Sequence, residues 1–150
     1  MYNLLLYVHI VCGVLWVGGA VTLQVLAVMA SRSSDSSDLP RVGHYAERVG
    51  TLVFIPASLI LFIAGVVMVL QAWSFGQLWV AVAVVLWIAS ALTGAIYLGP
   101  RAKKVGQLFQ AEGPESAAGR ATLNQVFLVS RLELVSFAVI IAMMVFKPGA

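Results

Sequence analysis

The chain has 150 residues, of which 61% are hydrophobic and 10% charged, against roughly 25% charged in a typical soluble domain. That balance excludes a water-soluble globular domain. The net charge of +3 comes from loop arginines and lysines, which points to lipid headgroups and away from nucleic acid. The single cysteine, Cys12, excludes an intramolecular disulfide.

Crossing about 30 Å of hydrocarbon takes about 20 apolar residues in a helix. Four stretches meet that length, at about 2–29, 44–71, 78–99 and 123–146. They predict one transmembrane domain over 1–150, an all-α integral membrane four-helix bundle. The first stretch has no Lys or Arg before Arg32 and stays apolar well past the 7–15 residues of a signal-peptide core. It is expected to remain as a membrane helix. The loop at 30–43 is rich in Ser, Asp, Pro and Gly, which marks a turn-rich linker, with Leu39-Pro40 expected to precede the second helix. The link at 71–77 is short, so the second and third helices are expected to be antiparallel neighbours. Tyr2, Trp73 and Trp79 fall where an interfacial aromatic belt would lie. The loop at 99–122 contains Gly113-Pro114, which is expected to break any helix there.

Arg32, Arg41 and Arg48 lie in or beside the first polar loop, and Arg101, Lys103, Lys104, Arg120 and Arg131 in or beside the second. Only Lys147 falls on the other side. Basic residues near helix ends favour the cytoplasmic face, so loops 30–43 and 99–122 are expected inside and both termini outside.

Leu15-Trp16-Val17-Gly18-Gly19-Ala20-Val21-Thr22 aligns with Leu86-Trp87-Ile88-Ala89-Ser90-Ala91-Leu92-Thr93. Arg48 with Phe54 recurs as Arg131 with Phe137. One reading is a parallel duplication of a helical hairpin about an axis along the membrane normal; the other is chance among Leu, Val and Ala.

Polar and small residues in membrane helices tend to face neighbouring helices. His9, Gly13, Trp16, Ala20 and Gln24 share one face of the first helix; Thr51, Ser58 and Gly65 recur every seven residues in the second. Ala83, Ser90, Thr93 and Tyr97 mark the third; Ser130, Glu133 and Ser136 or Phe137 mark the fourth, continuing towards Ile140. Tight packing alone would account for most of these stripes.

Two levels stand out. His9, Cys12, Met68, Met143 and Met144 lie towards the outer ends of their helices. Imidazole and thioether hold haem iron in electron carriers and also suit copper, so His9 with Met68, Met143 or Met144 is a candidate cofactor set, and His9 with Cys12 a candidate metal set. The alternative is that the methionines fill gaps, Cys12 packs inertly and His9 makes a structural hydrogen bond. At the inner level, Glu47, Arg48, Arg131 and Glu133 are candidate intramembrane ion pairs, crossed as Glu133 with Arg48 and Glu47 with Arg131, which would lower the desolvation cost of each. A proton path or an anionic headgroup site is the functional alternative to such a clasp.

Tyr7-Val8-His9-Ile10-Val11 and Leu15-Trp16-Val17-Gly18-Gly19, with Arg48-Val49-Gly50, Phe54-Ile55-Pro56 and Leu61-Phe62-Ile63-Ala64-Gly65, resemble the first two helices of the DUF2269 family of predicted bacterial integral membrane proteins. The likeness extends over the whole chain in helix number and loop placement, and it implies a bacterial inner membrane. A looser similarity links the His-before-Trp helix to CopD-like copper-resistance domains and HemJ-type protoporphyrinogen oxidases. It implies a haem b or copper role for His9. The chain departs from HemJ in lacking an intramembrane lysine, and His44 stands in the approach to the second helix, which argues against bis-histidine haem and porphyrin oxidation.

Three functions follow: a small haem- or copper-binding redox protein, a structural or accessory subunit of a membrane complex, or a small-solute transporter. The last would act as a homo-oligomer, since four helices make a thin pore wall. No nucleophile–base pair, phosphate loop or paired-carboxylate site is present, so no catalytic residue is assigned.

Overall fold

The computed structural model describes residues 1–33, 35, 37–113 and 115–150. Its elements are α1 (Tyr2–Arg32), α2 (Asp38–Val49), α3 (Ile55–Ala72), α4 (Leu78–Leu92), α5 (Gly99–Glu112) and α6 (Ala117–Phe146). A π-helical turn over Gly50–Phe54 fuses α2 to α3, and another over Thr93–Leu98 fuses α4 to α5. Four continuous helices result, and they hold the spans Tyr2–Arg32, Arg41–Ala72, Leu78–Glu112 and Ala117–Phe146, each long and apolar enough to cross a membrane. Successive helices run antiparallel, and the bundle closes with α1 against both α3 and α6, and α4 against α6.

Both π turns precede a proline. Pro56 enters the first turn of α3 and Pro100 that of α5. A proline ring clashes with the carbonyl four residues back and supplies no N–H. The residue before each one bonds five residues back instead, Ile55 to the Gly50 carbonyl and Gly99 to that of Gly94. The helix continues across the proline through one widened turn.

The helices reach further than the sequence reading placed them. The second begins at Asp38, with Pro40 inside its first turn, where a missing N–H costs nothing. The third continues as α5 to Glu112, and α6 begins at Ala117, so helix covers most of the expected 99–122 loop. Its polar residues are one face of an amphipathic helix whose Val105 and Phe109 are buried against Leu123 of α6. Gly113, at φ 81°, ends α5, and the Ser116 hydroxyl caps α6 by accepting from Gly119 N–H at 3.0 Å. Pro114, half of the expected breaker, lies outside the described residues.

Helices of 30 to 35 residues are roughly 45 to 52 Å long at about 1.5 Å per residue, well beyond about 30 Å of hydrocarbon. At one end Trp73 donates its indole N–H to the Tyr2 hydroxyl at 3.2 Å, and the Lys147 ammonium lies 4.3 Å from the Trp73 ring centre. Towards the other, Arg101 lies 3.6 Å over the Tyr97 ring. The rise from Trp79 to Tyr97 is about 27 Å, the thickness of one hydrocarbon slab. The remaining turns of α1, α2, α5 and α6 project past it as a head, carrying the loop arginines and lysines.

The main interior cluster joins Cys12 and Trp16 of α1, Ala57 and Leu61 of α3, Ala83 of α4, and Phe137 and Ile140 of α6. The predicted stripe faces point into it at His9, Trp16, Ser58, Ala83, Ser90 and Phe137, all buried. Thr51 does not join Ser58 and Gly65; it is exposed and bonds the Glu47 carbonyl at 3.0 Å. The extra residue of the intervening π turn rotates it off their face.

Candidate functional site

His9 lies on the buried face of α1, 9% exposed. Its Nδ1 is 2.8 Å from the backbone carbonyl of Leu61 on α3. A carbonyl only accepts, so Nδ1 carries the proton and, in the neutral ring, Nε2 keeps its lone pair. Gly65, one turn beyond Leu61, makes the room: a Cβ there would stand 3.1 Å from His9 Cε1 and 3.3 Å from Nδ1.

Cys12 follows on the same face of α1, buried and reduced. Trp16 meets Phe137 of antiparallel α6 with ring centres 4.6 Å apart. Two helical turns outward from that pair on each helix lead to His9 and Met144, which therefore share a level. Met144 packs against the cluster that contains Cys12 and Leu61. Met143 and Met144 both pack against Val69, Trp79 and Val80. Met68 is half-buried on α3, one turn past Gly65 towards Trp73. Of the residues singled out in the sequence, His9 and Met144 are brought to one level, Cys12 stands one turn and Met143 one residue further inward, and Met68 alone stands nearer the aromatic end.

The inner charges are arranged otherwise than as a crossed clasp. Glu47 pairs with Lys103 of α5, Oε1 to Nζ 3.6 Å, both largely solvated; such a pair contributes little. Among the described residues Arg48, Arg131 and Glu133 form no ion pair. Arg131 is exposed on α6, Glu133 half-buried. Two residues apart on a helix, they point to nearly opposite sides. The Glu47–Lys103 pair borders a groove of about 140 Å³ between α2 and α5, also lined by His44, Gln107 and Gln110 and set apart from His9.

Three features had no signal in the residue pattern. The Leu61 carbonyl is a backbone group, and its role depends on helix register. The π turns depend on how each proline is accommodated. The shielded indole nitrogens of Trp79 and Trp87, the Ser90 hydroxyl and the Gln24 amide nitrogen have no hydrogen-bond partner, which only the packed structure reveals.

The comparisons bear on this architecture as a whole. The family model for DUF2269, described as a predicted integral membrane protein, matches residues 3–148. The chain belongs to that family. Neither a curated protein nor a solved structure matches it. As a DUF2269 member the chain is an integral membrane protein; the family description assigns no ligand to His9 or to any other position.

Proposed function

We propose that this DUF2269 protein binds copper in its reduced, monovalent form, with His9 Nε2 as the nitrogen donor and Cys12 and Met144 as sulfur donors. The carrying observation is the His9 Nδ1–Leu61 carbonyl hydrogen bond at 2.8 Å. Histidines that hold metals commonly donate their other ring N–H to a carbonyl or carboxylate, which fixes the tautomer and turns the free nitrogen to the metal. Soft thiolate and thioether ligands select Cu(I). Two of them accompany His9 on the buried side, Cys12 one turn away and Met144 at its level.

Haem b fits less well. A second imidazole is lacking at this level, and the space beside Cys12 is filled by Trp16, Leu61, Phe137 and Ile140, which a porphyrin would have to displace. Met68 remains proposed as a sulfur group nearer the outer end, through which copper would arrive or leave, and Met143, one residue inward of Met144, as an alternative sulfur donor. The orientation belongs to the same proposal: the site lies towards the outer face of the plasma membrane, with both termini outside, supported by the concentration of basic residues at the head.

The test is a titration of detergent-purified, reduced protein with Cu(I) against a chromophoric chelator. One equivalent should bind. His9→Phe and Cys12→Ala should each lose it, Met144→Leu should weaken it, and Met68→Leu should leave stoichiometry intact. Wild-type stoichiometry in purified His9→Phe would sink the reading. A second reading rests on the same bond: His9 fastens α1 to α3 in an accessory subunit, alone or in a homo-oligomer. Then His9→Phe lowers thermal stability, and neither protein binds copper.

A further inference from the structure

Two arginines stand within the depth of the hydrocarbon slab. Leu61, bonded to His9, and Met144, at the level of His9, mark one depth on α3 and α6. Thirteen residues towards the head on each of these helices come Arg48 and Arg131, about 20 Å away. Tyr97, at the slab boundary, is seventeen residues from Val80, against which Met144 packs, or about 26 Å. Both arginines therefore lie about 6 Å on the membrane side of that boundary.

Both face outward. Arg48 shares a stripe with Tyr45 and Leu52, and Arg131 shares one with Leu128 and Val135, all four neighbours exposed. Bulky side chains on such stripes meet lipid, since the faces between helices are the small and polar ones. α2 packs on α1 and α5, and α6 on α1, α4 and α5, so the two arginines occupy opposite corners of the bundle. Neither side chain has an ion pair or a hydrogen bond among the described residues. Arg101 differs, being half-buried over the Tyr97 ring.

A guanidinium is always charged, and a charge at this depth is costly unless it finds an anion or reaches the interface. The chain supplies no anion. Glu47 is paired with Lys103, and Glu133 is half-buried on the other side of α6 from Arg131. We propose that Arg48 and Arg131 are two separate sites for the phosphate of anionic phospholipids, one lipid to each, in the leaflet at the head. Both helices run from the head outward, so their side chains tilt back towards the head, and each arginine snorkels to the phosphate level. There the guanidinium fork takes two phosphate oxygens at once, while Leu52 and Val135, towards the membrane centre, lie along the acyl chains. A zwitterionic headgroup brings its own ammonium to compete for the phosphate, so a net-anionic one is favoured. His9 takes no part, and the proposal is independent of copper binding.

The experiment is native mass spectrometry of protein released from nanodiscs holding equal amounts of phosphatidylglycerol and phosphatidylcholine. Wild type should retain up to two molecules of phosphatidylglycerol in preference to phosphatidylcholine. Arg48→Gln and Arg131→Gln should each lose one of them, an affinity drop of about fivefold at that site, the worth of one basic residue at an anionic surface. The double variant should show no preference. Lys103→Gln combined with Lys104→Gln, further into the head, should keep both lipids, and excess inorganic phosphate should displace neither. Equal retention of the two lipids by wild type overturns the proposal whether or not a variant folds. Undiminished phosphatidylglycerol on the folded double arginine variant, an equal loss in the lysine variant, or displacement by inorganic phosphate also overturns it.

Discussion

At the residue scale, the seating of His9 depends on an absent side chain. Gly65→Ala would place a methyl 3.1 Å from His9 Cε1, and the ring, hemmed in by its bond to Leu61, must shift. The expected loss is about 1 kcal/mol, near the range measured for interhelical hydrogen bonds in membranes, together with weaker Cu(I) binding. Thermal melts and chelator competition on one preparation check both, and wild-type behaviour in both would show that the close contact is unimportant. Lys147 offers a separate contrast. It adopts a left-handed conformation at φ 43°, which costs a non-glycine residue on the order of 1 kcal/mol, while its ammonium gains contact with Trp73. Lys147→Ala keeps the strain and loses the cation–π contact; Lys147→Gly loses both. Melting temperatures should therefore fall in the order wild type, about equal to Gly, then Ala. Ala at or above Gly would mean that the backbone strain is of no consequence.

At the element scale, what could be read in the sequence was hydrophobic length and face. The existence of four helices followed from apolar runs, and the buried faces through His9, Ser58, Ala83 and Phe137 followed from spacing. The head did not follow, because Lys103, Lys104, Gln107 and Gln110 read as loop until Val105 and Phe109 are seen to share a buried side. Thr51 leaves the face that its spacing predicts for a sharper reason: regular seven-residue counting fails across a π turn. That turn behaves as one inserted residue, so removing one residue from it should restore α-helix and keep both flanking faces in place. Deleting Leu52, 72% exposed, should leave a folded protein with a modestly lower melting temperature. Deleting Ile60, beyond the turn, rotates one side of α3 against the other by about 100° and should destroy the packing of Leu61 with Cys12. Recovery of monodisperse protein after solubilisation distinguishes the two, and equal tolerance of both deletions would refute the role given to the π turn.

At the scale of the whole molecule, polarity is built in at both ends. Eight of nine basic residues lie at the head or on its approaches, and Tyr2, Trp73, Trp79 and Lys147 meet at the other end. An aromatic belt occurs at either interface and does not choose a side, so orientation rests on the cationic bias, which acts during insertion. In a Cys12→Ala background, cysteines introduced at exposed Ala117 and Gly149 report opposite faces. In intact cells a membrane-impermeant maleimide should label Gly149→Cys and spare Ala117→Cys, with the second becoming reactive only after permeabilisation. The reverse pattern would invert the molecule and turn the His9 level towards the cytoplasm. Copper would then be met from the reducing compartment, and the proposed entry past Met68 would become an exit. The labelling result therefore fixes the direction in which the proposed copper site would act.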